Sequence, residues 1–321
     1  MIREIAAQFL ALAQGAIAPL MIGHRLMGTS SLCTGDPSKG RAHYDQAIAL
    51  YDPVAHRALA PRFGQDIRVA SLCYRSLALW MLGYAEAALA DTDFARKDAR
   101  EIGHAVTLIY ALCHGSLTHF LCGNYPTATA EAEECVALAD EKGALVFKAV
   151  GMIALGSSLA ASGKNADAIQ AITSGIKALR SSGAILWAPL SLAPLARAHA
   201  ALGQFDDAWR CIGDALAAVA NSKESWWEAE VHRTGGEIAL LSPDPDGAKA
   251  QTYFERALMV ARKQQAKSWE LRAAMSMARL WRDRGRQDEA RDLLARVYGW
   301  FTEGFDTLDL KEARALLDKL A

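Results

Sequence analysis

The sequence predicts an all-α superhelix built from about seven stacked helix–turn–helix repeats. One observation is a glycine every 40 residues, at Gly83, Gly123, Gly163 and Gly203. Another is an alanine five residues after each glycine, at Ala88, Ala128, Ala168 and Ala208. Small residues also recur seven positions before most of these glycines and seven positions after the alanines. Small side chains at facing positions let two helices approach closely, so the pattern indicates a repeated helix pair.

The register extends beyond these four units in both directions. Further pairs that fit are Pro37 with Ala42, Pro245 with Ala250, and Gly285 with Ala290. Stacked repeats need no separate closed cores, so we expect one solenoid domain over the whole chain. A leading helix, seven repeats and a capping helix are predicted for residues 1–17, 18–66, 67–103, 104–143, 144–183, 184–223, 224–266, 267–305 and 306–321.

Local sequence explains each element in order. Residues 2–14 place apolar side chains at helical spacing, which predicts an amphipathic opening helix. In each repeat, an apolar helix ends where glycine can adopt the left-handed conformation, and the next helix begins with acidic or small residues. Residues 52–64 lengthen the first repeat and are predicted to form a protruding loop, while residues 242–247 form a proline turn. Residues 308–320 carry apolar side chains on one face and predict a capping helix.

Composition limits the classes of partner. Apolar residues make up 52% of the chain, charged residues 22%, and the formal net charge is -1, so nucleic acid is not an expected partner. No stretch of 18 apolar residues occurs without interruption, so no membrane association is expected. The six cysteines include no Cys-x-x-Cys pair, which favours reduced thiols and a cytoplasmic location.

No recognisable catalytic, cofactor or metal site is present in the sequence. Residues 156–165 end in Gly-Lys-Asn and lack the spacing of a phosphate loop. Cys113, His114, His119 and Cys122 lie within ten residues, but no second ligand pair has zinc spacing, so core packing is favoured. We therefore expect no cofactor, no metal and no enzymatic activity, and an enzyme with an unrecognised site is kept as a third alternative.

The spacing of small residues resembles that of the tetratricopeptide repeat, whose usual unit is 34 residues. This chain has a period of about 40, which is similar to the longer-helix variant in the sensor arms of bacterial signalling ATPases. The resemblance implies an α–α superhelix with a concave binding face. It also implies that groove geometry differs from that of the standard repeat, because longer helices change the curvature.

Over its whole length, the chain also resembles the carboxy-terminal repeat region of bacterial class III adenylate/guanylate cyclase–ATPase signalling proteins. The segments that carry this resemblance are residues 28–31 continuing to 41–47, 201–212, 267–272 and 298–306. None of the family's catalytic residues lies in these segments. The resemblance therefore implies that the cyclase and ATPase machinery would lie upstream of Met1.

The concave face is the candidate binding site. In repeats of this kind, its side chains come from the first helix of each unit, at fixed positions before the turn glycine. Early repeats supply an apolar part and later repeats an arginine-rich part: Leu77, Trp80, Tyr110, Phe120, Arg197, Arg272, Arg279 and Arg282. Such a face could hold an amphipathic or acidic peptide, or a neighbouring domain. The alternative is a tight superhelix in which the apolar wall is buried and the arginines are solvated.

Two functions remain open on these grounds. The first is a non-catalytic interaction and regulatory module, the sensor or scaffold arm of a signalling protein, that binds a protein, a peptide or upstream domains of the same polypeptide. The second is a superhelix that senses a small-molecule inducer. Trp227 and Trp269, 42 residues apart, are expected to form part of an inter-repeat aromatic ladder, with an aromatic recognition patch as the alternative.

Overall fold

The computed structural model describes residues 2–13, 15–183 and 187–321, and all its regular elements in these ranges are helices. A leading helix and the first repeat comprise α1 (Ile2–Leu12), α2 (Ile17–Cys33) and α3 (Pro37–Ala49), followed by the short helices α4 (Pro53–His56) and α5 (Ala60–Phe63). The middle repeats pair α6 (Ile67–Met81) with α7 (Ala85–Ile102), α8 (Ala105–Leu121) with α9 (Tyr125–Glu141), and α10 (Leu145–Ala161) with α11 (Asn165–Ser181). The last repeats pair α12 (Ala188–Ala201) with α13 (Phe205–Ser222), α14 (Glu228–Leu241) with α15 (Gly247–Lys263), and α16 (Lys267–Asp283) with α17 (Gln287–Tyr298). The final helix is α18 (Leu308–Lys319).

The predicted fold class is confirmed by the turns between paired helices. Gly123, Gly163 and Gly203 have φ values of 81°, 80° and 75°, and each lies two residues before the second helix of its pair. These left-handed residues end the first helix, as the sequence predicted. The even-numbered helices from α6 to α16 form the inner layer of the superhelix and their odd-numbered partners form the outer layer.

The first repeat has its turn glycine two residues earlier than the sequence register suggested. Gly35 adopts φ 83°, and Pro37 is the first residue of α3. A Cβ atom on Gly40 would lie 3.2 Å from the carbonyl oxygen of Gly28, so these two glycines bring α2 and α3 close together. Pro37 and Ala42 matched the alanine spacing by coincidence, because Gly35 and Gly40 occupy the equivalent positions.

Small residues do allow close helix contact within a repeat. A Cβ atom on Gly156 of α10 would lie 2.9 Å from the carbonyl oxygen of Ala168, and one on Gly175 of α11 would lie 2.7 Å from that of Ala149. Both distances are shorter than an ordinary carbon–oxygen contact. The glycines therefore set the spacing of α10 and α11, and a larger residue would force them apart.

The loop predicted after α3 folds back onto the outer layer. The guanidinium of Arg57 lies 2.7 Å from Asp98 on α7, and Arg68 binds the same carboxylate at 2.7 Å. Val54 at the far end of this segment is 94% exposed. The segment is thus held near its middle by an ion pair from Arg57 and presents Val54, near its amino end, to solvent.

The superhelix closes on itself. We number the helix pairs from α2–α3 as repeat 1 to α16–α17 as repeat 7. Repeats 6 and 7 and the capping helix α18 contact the first three repeats. The backbone NH groups of Ser225 and Trp226 donate to the carbonyl oxygen of Cys33, at 2.8 and 3.3 Å. The hydroxyl of Ser268 donates to the carbonyl oxygen of Trp80 at the other side of the contact. We call this junction the closure seam.

Turn glycines mark the closure seam. A Cβ atom on Gly83 would lie 2.5 Å from the Trp300 ring, and one on Gly123 would lie 2.4 Å from Leu308. The equivalent atom on Gly163 or Gly203 would have no described heavy atom within 4 Å. The closure seam therefore covers the turns of the early repeats and leaves those of repeats 4 and 5 open.

Candidate functional site

The apolar half of the predicted concave face lies inside the closed superhelix. Its four members are almost fully buried, with exposed fractions of 1% for Leu77, 2% for Trp80, 6% for Tyr110 and 9% for Phe120. Trp80 packs against the ring of Trp269 from the opposite side of the closure seam. In this closed form, the wall is covered by the protein's own residues, which corresponds to the tight-superhelix alternative.

The side chain of Arg272 is also engaged in contacts within the protein. Its guanidinium lies between the rings of Trp80 and Trp269, 5.0 and 5.3 Å from their centroids. Nε donates to Asp309 of α18 at 2.8 Å, and a terminal nitrogen donates to the carbonyl oxygen of Leu121 at 2.7 Å. Burial disfavours the charge, but Asp309 and other carboxylates outweigh it and raise the pKa of Arg272. Arg272 therefore joins α16, α18 and α8 across the closure seam.

Arg279 and Arg282 have acidic neighbours near the surface. Arg279 donates to Glu312 of α18 at 2.8 Å, and Arg282 donates to the adjacent Asp283 at 2.9 Å. Exposed ion pairs of this kind are screened by water and typically contribute about 0–1 kcal/mol. These two arginines are consequently less available to a ligand than the sequence suggested.

Arg197 differs from the other predicted arginines. It lies exposed on α12, and no hydrogen bond or ion pair joins it to any other described residue. Glu230 is buried on α14, the next inner helix, but its carboxylate forms a bidentate ion pair with Arg233, at 2.6 and 2.7 Å, rather than with Arg197. Glu230 is desolvated, yet Arg233, with smaller contributions from the charges of Arg272 and Arg197, outweighs that effect and lowers the pKa of the carboxyl. The charge of Arg197 is thus left without a bonded counterion.

Arg197 faces a cleft on the inside of the superhelix, which we call the inner cleft. A polar part of about 150 Å³ is lined by charged and aromatic groups, among them Arg197, Arg233, Glu237, Arg279, Tyr125 and Glu312. A wider mouth of about 400 Å³ is lined mainly by small and aliphatic groups, among them Ala160, Ala200, Ala201, Ile238, Leu240 and Leu241. Arg197 and Glu237 line both parts, so the two parts adjoin at these side chains.

Several cleft residues were not recognised in the sequence. Arg233 and Glu237 lie on α14, where the proline turn replaces the glycine that sets the register of the other repeats. Glu237 accepts from Arg233 and lies beside Ser276 of α16. Asp309 and Glu312 belong to the capping helix, which lies outside the repeat pattern. Their position in the cleft depends on how α18 folds back, which no spacing in the sequence reveals.

The cysteine–histidine cluster packs in the core. His114 is hydrogen-bonded through Nδ1 to the carbonyl oxygen of Tyr110 at 2.9 Å, and burial lowers its pKa to about 4. His119 points elsewhere, toward Glu131, whose carboxylate lies 3.8 Å from its Nε2. Among residues 2–13, 15–183 and 187–321, no group of three or more potential ligands is placed to hold a metal ion. The helices in these ranges also include none long and apolar enough to cross a bilayer.

The chain has the fold of a tetratricopeptide-like superhelical repeat protein. Similar structures include the apo form of RapI, with a TM-score of 0.57 and 12% identity over 93% of this chain and 99% of that one. A Rap protein complexed with competence and sporulation factor has a TM-score of 0.57 and 11% identity over 94% and 74% of the two chains. The Rap conjugation gene regulator of a plasmid, in complex with a Phr peptide, has a TM-score of 0.62 and 10% identity over 97% and 77%. No protein-family description and no curated sequence matches the chain.

Proposed function

We propose that this chain is a regulatory module whose inner cleft binds a peptide that carries both a carboxylate and an apolar side chain. The observation that carries the proposal is the position of Arg197, an exposed cation at the junction of the polar and apolar parts of the cleft that no hydrogen bond or ion pair joins to another described residue. A guanidinium binds a carboxylate through two parallel hydrogen bonds, which fixes its orientation.

The mouth of the inner cleft supplies the apolar part of the site. Leu241 at its rim is 61% exposed, and nearby Leu202, which follows α12, is 46% exposed. An aliphatic or aromatic side chain placed there would remove apolar surface from water while the carboxylate reaches Arg197. The complex of a similarly folded protein with a Phr peptide supports the choice of a peptide over a small inducer.

The proposal is tested with peptides selected from a random display library on the full chain. We expect Arg197→Gln to weaken binding of the selected peptides about tenfold or more, since a charge-assisted hydrogen bond is lost. Arg210→Gln is the matched control, because Arg210 is 67% exposed on the outer helix α13 and pairs with Asp207. Equal affinities of the two variants, or no selected peptide, would refute the proposal.

The small-molecule alternative predicts a different result. An inducer held in the apolar mouth alone would raise the melting temperature of the wild type and of Arg197→Gln equally, because it would not use the guanidinium. Free amino acids and acyl-homoserine compounds that change the melting temperature in this way would favour the inducer alternative over the peptide.

A more specific hypothesis is that the chain is the sensor or scaffold arm of a cyclase–ATPase signalling protein in the bacterial cytoplasm. It rests on the sequence resemblance of residues 28–47, 201–212, 267–272 and 298–306 and on the cysteine pattern. The coding DNA upstream of Met1 tests it: an open frame with cyclase and ATPase motifs would support it, and an in-frame stop would refute it. Cyclase turnover by this chain alone would also contradict it.

A further inference from the structure

A second cavity, of about 550 Å³, lies at the outer edge of the closure seam, and we call it the seam pocket. One wall comes from the early repeats, through Arg41 on α3 and Tyr84 before α7. The other wall comes from the late repeats, through Arg262 on α15, Lys267 on α16 and Trp300 after α17. The pocket therefore exists only when the superhelix is closed. Its volume lies in the range of small-molecule sites, roughly 300–1,000 Å³.

The walls of the seam pocket carry more positive than negative charge. Arg262 and Lys267 share the single carboxylate of Glu270, at 2.8 and 2.9 Å. Arg41 lies 3.8 Å from Asp45, but that carboxylate already accepts from Arg75 at 2.7 Å. Three cations around one cavity with incomplete neutralisation create a positive potential that attracts an anion.

Two aromatic rings stand beside these cations. The ring centroids of Tyr84 and Trp300 lie 5.7 Å apart, and Trp300 remains 37% exposed. The guanidinium of Arg41 lies 5.4 Å from the Tyr84 centroid, and Nζ of Lys267 lies 5.5 Å from the Trp300 centroid. An exposed indole next to cations can stack on a planar ring whose attached anionic group reaches the positive side chains.

We propose that the seam pocket binds a small anion with a planar ring, of the class of nucleoside monophosphates, and that the bound ligand holds the closure seam shut. Trp300 stacks on the base, and Arg41, Arg262 and Lys267 bind the phosphate. The ligand contacts both ends of the chain, so it favours the closed form over any opened form by mass action. This inference does not depend on the peptide proposed for the inner cleft.

Calorimetric titration of the full chain with adenosine 5′-monophosphate and with guanosine 5′-monophosphate tests the proposal, with inorganic phosphate and adenosine as partial probes. We expect at least one mononucleotide to bind about tenfold or more tightly than either partial probe, because ring and phosphate act together. Phosphate binding as tightly as both nucleotides would show a plain anion site and overturn the proposal. Absence of nucleotide binding at about 1 mM, where even weak sites fill, would also overturn it.

Variants locate the site. Arg41→Gln and Trp300→Leu are each expected to weaken nucleotide binding about tenfold or more. The matched control is the double variant Trp209→Leu with Lys249→Gln, which removes a cation and ring 3.6 Å apart on the outer layer. Arg197→Gln is a second control and should leave nucleotide affinity unchanged. Losses in either control equal to those in the seam variants would contradict the assignment.

A melting experiment tests the effect on closure. The nucleotide should raise the melting temperature of the wild type, and at the same concentration it should raise that of Arg41→Gln by a smaller amount, because the variant binds it more weakly. Arg41 is 43% exposed, so its replacement is not expected to unfold the chain. An equal rise in both proteins would place the ligand outside the seam pocket and refute the inference.

Discussion

The indole rings of Trp80 and Trp269 meet edge to face with their centroids 4.6 Å apart, although they belong to the second and the seventh repeat. Trp269 also meets Trp227 edge to face at 4.8 Å, and its Nε1 donates to the carbonyl oxygen of Trp226 at 3.0 Å. The Trp227–Trp269 contact is thus an inter-repeat ladder, as one of the sequence alternatives expected. Trp80 extends it across the closure seam, which joins distant repeats through one aromatic cluster.

Truncation of Trp269 should therefore destabilise the whole chain. Trp269→Ala is expected to lower the free energy of unfolding by about 3–5 kcal/mol, the usual cost of removing a buried indole. Urea denaturation followed by circular dichroism measures it. Trp281→Ala on the same helix is the control, because that ring is only partly buried and packs under Arg286. Similar losses in both variants would show that the closure seam adds nothing to stability.

Gly83 and Gly203 offer a direct measure of the closure seam. Both have positive φ, 93° and 75°, so alanine costs about 1–2 kcal/mol at either position through backbone strain. Only at Gly83 would the added Cβ also meet the Trp300 ring, at 2.5 Å. We expect Gly83→Ala to be more destabilising than Gly203→Ala by about 1–3 kcal/mol, as for other overpacked sites.

The two glycine variants are compared by urea denaturation, and nucleotide titration of both provides a second readout. Gly83→Ala displaces Trp300 and should weaken binding in the seam pocket, while Gly203→Ala should not. Equal stability losses together with equal affinities would mean that Trp300 does not rest against the second repeat in solution.

The repeat architecture was predictable from the sequence, whereas closure was not. Gly123, Gly163 and Gly203 gave the turns correctly because a left-handed residue is needed wherever an inner helix turns back into an outer one. Closure depends on small rotations between successive repeats, which accumulate over the chain. The bond from Ser268 to the carbonyl oxygen of Trp80 leaves no periodic trace, because its two partners are 188 positions apart.

The same reason limits what the sequence could say of the inner cleft. Arg197 and Arg272 both stand at inner-face positions of their repeats, six and thirteen residues before the turn glycine. In the structure Arg272 binds Asp309 and Leu121, while Arg197 has no hydrogen-bonded or ion-paired partner in the part of the chain that the structure describes. Which arginine is available is decided by residues from the capping helix and the third repeat, and their approach follows from closure.

Lys223 is a site where one substitution should stabilise the chain. It adopts φ 63° at the end of α13, although its side chain favours negative φ. Lys223→Gly relieves this strain, which costs about 1–2 kcal/mol. Glycine also gains entropy in the unfolded chain, which offsets part of the benefit, so the free energy of unfolding is expected to rise by up to about 1 kcal/mol. Thermal melting measures the change in stability. Lys223→Ala is the control, because alanine also removes the lysine side chain but keeps the strain of a positive φ. A lower melting temperature for the glycine variant than for the alanine variant would contradict the explanation.

Glu131 should give the stability a pH dependence. Burial raises the pKa of its carboxyl to about 7, and Arg96 opposes that shift only in part. The folded protein then holds a proton that the unfolded chain has released, so this contribution is complete below about pH 4.5 and is lost as the pH rises through about 7. We expect the wild type to lose roughly 1–3 kcal/mol across this interval relative to Glu131→Gln.

Urea denaturation at several pH values measures the difference between these two proteins. Burial lowers the pKa of neighbouring His119, and that imidazole contributes a slope of opposite sign to both proteins, so the difference isolates Glu131. Parallel curves for the wild type and Glu131→Gln between about pH 4.5 and 7 would show that the carboxyl titrates normally.

Closure also limits how this chain can change in evolution. An open solenoid tolerates tandem duplication or loss of a unit, because each unit touches only its neighbours. Here an inserted helix pair would carry Trp269 past Trp80 and Arg272 away from Leu121, and a deleted pair would leave the two ends apart. The number of repeats is therefore constrained by the geometry of closure.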